Sequence, residues 1–243
     1  MTDLRLQGFG SSARRGQTAW TDPAPWQALM DAAAPAHVAH GASPSGGADA
    51  VIDEVSRAWY RAHGWRPDQH VHAFPMRRDL DGEGGGAFLR RNGRTLELFR
   101  PNVAAGLVVG RVGQAVGTRG CYLSNGSEDM ARRLRAAKVP LVIYREDGVE
   151  PCPVARAETP LVGALLGACL ALGALFEQGL FAEDVGRAGV VVKQAMLVAK
   201  ERRHESRIVD ALMGARAAVE ALREGQPRIA PWVAPVEARL RML

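Results

Sequence analysis

The chain has 243 residues, of which 47% are hydrophobic and 23% charged, with 27 glycines and 14 prolines. That is globular usage, which excludes collagen, a coiled coil and a wholly disordered chain, and the length admits one large domain or a domain with an annex. The net charge of +5 is shared by both halves, with no polybasic tail and no aromatic-interleaved basic stripe, so it suits a small anionic ligand and specifies no nucleic acid. Cys121, Cys152 and Cys169 form no CxxC pair and read as free thiols. The N-terminus lacks a basic stretch followed by an apolar run, so the expectation is a cytoplasmic protein.

In chain order, Leu4–Phe9 reads as a strand made alternating by Arg5 and Gln7. A helix follows at Trp26–Ala34, a short strand at His37–His40 and a strongly periodic helix at Ala48–His63. Gln69–Phe74 reads as a strand stopped by Pro75. The charged, glycine-rich stretch Met76–Phe88 suggests a mobile loop or lid. Arg91–Phe99 is a predicted helix, Val103–Val109 a strand, Glu128–Ala137 a helix and Leu141–Tyr144 the last strand. This order predicts an α/β fold over residues 1–150, a Rossmann-like parallel sheet with helices on both faces.

Residues 151–243 read differently, as an all-α annex with a proline-rich tail. Three helices are expected, over 160–178, 182–200 and 203–223, and then a tail broken by proline with Trp232 as an anchor. Pro160–Phe176 has no charged residue, but it is short for a span and diluted by Gly and Ala, so it reads as a buried helix and membrane insertion is not expected. Its Gly163-xxx-Gly167 pattern suits close helix packing, and the chain is expected to form a homo-oligomer.

Ligands of open parallel sheets sit at the C-terminal ends of the strands, and four loops fall there. Gly8-Phe9-Gly10-Ser11-Ser12, followed by Arg14 and Arg15, is either a plain turn or a phosphate cradle. The loop from His40 to Asp49 contains Gly41, Gly46 and Gly47 ahead of a helix N-terminus, where Ser45 or Asp49 is an alternative reading as a simple cap. Arg91-Asn92 opens a helix and fits a phosphate or a base edge, or else a solvated turn. Ser124-Asn125-Gly126-Ser127 precedes a helix whose first acids, Glu128 and Asp129, are candidate catalytic groups or ordinary dipole partners. His70 and His72 alternate on one strand with no third partner spaced for zinc, so no metal site is expected, and no cofactor is indicated.

Together these segments resemble the SLOG superfamily. HGASPSGGADAVIDEVSRAWY is similar to the HGGARGADxLAxxWA segment of its YspA/cpYpsA-related branch, kin to the LOG and DprA-like proteins. GFGSSARRGQTAWTD resembles that branch's GSRxWTD opening, Arg91-Asn92 its RNxxM segment, and NGSEDMARRLRAAKVPLVIY its GxGTxDMVRRARxAGIPV segment. The likeness covers residues 4–145 in family order. It implies a domain that binds a nucleotide or nucleotide-derived ligand, with Gly10, Ser11, Gly41, Gly46, Gly47, Asp49, Arg91, Asn92, Gly126 and Ser127 lining the pocket; Arg14 is added from its position beside the first loop. The chain departs from the pattern in its polar first strand, in Ser124-Asn125 where a doubled glycine is usual, and in the extra residues Arg111–Leu123. Alternative functions are nucleotide N-glycosidic or phosphoribosyl hydrolysis through Glu128 or Asp129, and an oligomeric interaction protein that works through the annex.

Overall fold

A computed structural model describes residues 3–11, 19–44, 46–84, 86–113, 125–201 and 205–243, with only the backbone of Asn125. The chain divides into two compact units, Asp3–Gly148 and Val149–Leu243.

The first unit is an α/β, Rossmann-like layer structure. Its strands are β1 (Arg5–Gly10), β2 (His37–His40), β3 (Val71–Ala73), β4 (Val103–Leu107), β5 (Leu141–Arg145) and the edge β6 (Gly148–Val149), in the order β3-β2-β1-β4-β5-β6. The pairings β1–β2, β1–β4, β2–β3 and β4–β5 are all parallel. Strand order reverses between β1 and β4, where Gly10 stands opposite Leu107. A crevice outside the strand ends forms at such a reversal.

Helices α1 (Ala24–Ala33) and α2 (Ala48–Ala62) cover one face. There Gly8 is hemmed in by Trp26 and Ile52, so a Cβ at Gly8 would stand 2.7 Å from the Trp26 ring. Trp26 Nε1 donates to Ser56 Oγ at 2.9 Å and the Tyr60 hydroxyl donates to the Pro35 carbonyl at 2.9 Å, which satisfies the polar ends of two large buried side chains. Helices α5 (Ala87–Phe99) and α6 (Asn125–Ala136) belong to the opposite side. On it, Phe9, Met130, Leu134 and Ile143 share one apolar cluster.

The polarity of β1 is met in part by this packing, which leaves Gln7 Oε1 and Arg5 Nε buried without a hydrogen-bond partner. Gln7 is fully buried, and its amide nitrogen donates to the Gly8 and Ala39 carbonyls at 2.8 and 3.3 Å. Arg5 lays its guanidinium 4.9 Å from the centre of the Phe99 ring and donates to the Phe99 carbonyl.

Two single-turn helices, α3 (Pro67–His70) and α4 (Arg78–Asp81), lie between α2 and α5. The stretch expected as a mobile loop is anchored. Asp81 is buried and receives Arg94 Nε at 2.9 Å, Arg94 Nη2 at 2.7 Å and the Arg77 N–H at 2.8 Å. The backbone of Asp81 and Glu83 wraps around the Arg90 guanidinium.

The second unit contains α7 (Pro160–Glu177), α8 (Ala182–Glu201), α9 (Glu205–Gly225) and α10 (Ala230–Arg241). Thr159 caps α7, its hydroxyl accepting from the Val162 N–H at 3.2 Å. Among the described residues α7 is the one helix long and apolar enough to cross a membrane; Leu165, Ala168, Leu172 and Leu175 are buried inside the unit. Gly163 and Gly167 admit the extended segment 153–155 rather than another helix, with a Cβ at Gly167 landing 2.0 Å from the Pro153 carbonyl oxygen. The tail expected to be broken by proline is instead α10. Pro231 sits in its first turn, where the missing N–H costs nothing, and Pro235 is inside it. Trp232, Val233, Val236 and Leu240 are buried, so burial of that face overrides the proline signal.

Candidate functional site

The C-terminal end of β1 is the point on which two helix N-termini converge. Gly10 accepts the Ser127 hydroxyl at 3.1 Å, which ties it to the first turn of α6. Ser11 accepts the Ala48 N–H at 3.0 Å through its carbonyl, which ties it to the first turn of α2. Only glycine allows this at position 10, because a Cβ there would meet the Leu107 carbonyl oxygen at 2.0 Å and Ala48 Cβ at 2.6 Å. Ser11 also fastens the end of β4: its N–H donates to Leu107 O at 2.9 Å, and its hydroxyl accepts from the Val109 N–H at 3.1 Å.

Both helix starts carry glycine, and at α2 the Gly46 and Ala48 N–H groups already meet the Ser43 and Ser11 carbonyls at 3.2 and 3.0 Å. Gly46 and Gly47 have φ of +69° and +78°, which side-chain-bearing residues rarely adopt. An added Cβ at Gly46 or at Gly126 would meet nothing within 4 Å, so each faces open space. Helix N-termini carry partial positive charge and outward N–H groups, so the arrangement suits an anion.

The remaining candidate residues brace the loops around these two helix starts. Asp49 holds the β2–α2 loop, its carboxylate accepting from the Gly41 N–H at 3.3 Å and the Ser43 N–H at 2.8 Å. Arg91, on α5, donates to the Gly41 carbonyl and to the Phe74 carbonyl at 3.4 Å, so its guanidinium joins the ends of β2 and β3. Asn92 is buried and donates to the Gly126 carbonyl at 2.9 Å and to Asp129 at 3.3 Å, which links α5 to the start of α6. Asp129, also buried, accepts from Arg133 Nε at 2.7 Å and from Arg132. Its two oxygens thus serve three side-chain donors and hold the α6 start in place. Glu128 is half-buried beside it. Arg14 and the Ser45 cap lie outside the described residues.

One group was not singled out from the sequence. His40, buried at the end of β2, has Nε2 3.1 Å from Asp53 and Nδ1 accepting the Ala42 N–H at 3.2 Å. Those partners fix the neutral tautomer with its proton on Nε2. Burial outweighs the nearby Asp49 and Asp53 and pushes the His40 imidazole below its usual range. Arg57 completes the chain, its Nε donating to both Asp53 oxygens at 2.9 and 3.0 Å. The signal was present as the i, i+4, i+8 spacing of Asp49, Asp53 and Arg57, which puts all three on one side of α2.

His70 and His72 meet His37 instead of a metal partner. His72 Nε2 lies 3.2 Å from His37 Nδ1, and the His37 and His70 rings stack at 5.3 Å. Among the described residues no cluster of His, Cys, Asp and Glu is arranged to hold a metal.

Comparison of the chain with protein-family models, with curated proteins and with solved structures finds no match.

Proposed function

We propose that the Asp3–Gly148 unit is a SLOG-like domain that binds a phosphate-bearing, nucleotide-derived small ligand outside the ends of β1 and β4. The observation that carries this reading is the convergence of α2 and α6 on Gly10 and Ser11, with Gly46 and Gly126 facing open space. The phosphate would lie between the two helix N-termini, where backbone N–H groups and two helix dipoles favour negative charge. Arg91, Asn92, Asp49 and Asp129 keep the loops in register for it, since each makes a hydrogen bond to the strand ends or within the α6 start.

Thermal unfolding with AMP, ADP-ribose and cyclic AMP tests the proposal. A ligand at a hundred times its Kd adds about 2.7 kcal/mol, which raises Tm by about 5 °C or more for a chain of this size. Absence of a shift with all three overturns the reading.

A further inference from the structure

We propose that the exposed face of the α7–α8 hairpin is an isologous interface that takes a second copy of this chain, paired antiparallel. The two helices are joined by only four residues, 178–181, and pack on each other. Phe176 lies against Gly186, and Cys169 interacts with Lys193. Both pairs belong to one antiparallel register, which sets Gly173 opposite Gly189.

A Cβ added to either of those glycines would meet no atom within 4 Å. They form a shallow notch in the middle of the face. Around it Leu170, Phe176, Val190 and Leu197 stand 62%, 52%, 68% and 41% exposed. At those exposures the four side chains present on the order of 400 Å² of apolar surface, within the size of the largest patch on a monomer, which is often functional. A standard pairing buries about 800 Å² per partner, of which a little over half is apolar, so this patch supplies most of the apolar share.

Charge chooses the occupant. At the turn between the helices this face carries Glu177 and Glu183. Toward the far end of α8, Lys193 and Lys200 outnumber Glu201. A bilayer surface of anionic lipid calls for a basic rim on every side. A face with an acidic end, an apolar middle and a basic end complements itself when a copy is turned by a two-fold axis through the notch, acidic end on basic end. The Gly163/Gly167 side of α7 is already covered by residues 153–155, which leaves the Leu170–Gly173 side for the partner.

The test is the solution mass of the full chain by light scattering, with circular dichroism to report the fold. The expected mass is twice the 26.1 kDa of one chain. Leu170→Glu and Val190→Glu, both at exposed positions, should each return the mass of one chain with unchanged helicity. Lys193→Glu makes both ends acidic and should also separate the copies, while Glu177→Lys and Glu183→Lys added to it turn the other end basic and restore complementarity and the doubled mass. A wild-type mass of one chain, variants that keep the wild-type mass, or a charge swap that fails to restore pairing would each overturn the proposal. So would a single-chain mass combined with sedimentation on anionic phospholipid vesicles, which would make the face a membrane contact.

Discussion

Ser127 and Gly10 are separated by 117 positions in the chain and joined by one hydrogen bond, the serine hydroxyl donating to the glycine carbonyl at 3.1 Å. The bond fixes the first turn of α6 over the end of β1, beside the place where α2 also begins. The spacing between these two helix starts, and with it the crevice, depends on that closeness.

Gly126 is the position where the crevice can be blocked without disturbing the fold. Nothing lies within 4 Å of a Cβ there, and the backbone does not need a positive φ. Gly126→Val should keep the unliganded Tm and abolish the shift produced by a nucleotide. A variant that still shows the full shift would remove the α6 start from the site.

Gly10 should behave in the opposite way. Its missing side chain is replaced by Leu107 and Ala48, so Gly10→Ala must push strand and helix apart. Overpacking of this kind costs about 1–3 kcal/mol or more, read as a lower urea midpoint. A midpoint equal to wild type would show that the end of β1 is looser than described.

Asp81 gives the first unit a distinct acid limit. The Arg94 guanidinium, with help from the Arg77 N–H, holds its carboxyl down to about 2. A depressed folded-state value means stability is fully present above the ordinary carboxylate range near 4 and is lost as pH falls from there toward 2. Arg94→Leu leaves the buried carboxylate unpaired and should cost about 3–5 kcal/mol at neutral pH. Chemical denaturation at pH 7 checks the magnitude; a loss under about 1 kcal/mol would make the Asp81 pair peripheral.

The histidines act in a separate, milder window. Burial lowers His37, with His70 and Arg5 adding to the effect; burial likewise lowers His72 and His40. The unfolded chain therefore binds more protons than the folded one once pH drops below about 6.5, so stability should decline from there downward. His72→Gln should flatten part of that decline, measured as Tm between pH 8 and pH 5. A wild-type Tm that rises on acidification would contradict the sign.

Much of the first unit was legible because its strands and helices follow plain periodicities. His37–His40 is a strand as expected, and the helix after Gly47 ends within a residue or two of its expected limit, since Ile52 and Trp59 repeat at helical spacing. What was not legible depended on partners distant in sequence. Composition marked 76–88 as loose, but Arg94, thirteen positions beyond Asp81, pins it. Two prolines marked the tail as broken, but the first falls in an opening turn and buried Trp232 and Leu240 hold the rest. Gly163 and Gly167 announced close packing correctly without saying that extended chain, not helix, would fill the space. Within the candidate site, residue types at strand ends pointed to Asp49, Arg91 and Asn92. That they brace the loops through Gly41, Ser43 and Gly126 required the fold.

The proposed site puts phosphate between the starts of α2 and α6. Backbone amide chemical-shift mapping with ADP-ribose, against adenosine as a control without phosphate, tests it most directly. ADP-ribose is expected to move the Gly10, Ser11, Gly46, Gly47, Gly126 and Ser127 amides far more than adenosine does. Equal movement with both compounds, or movement confined to residues away from these two helix starts, would contradict it.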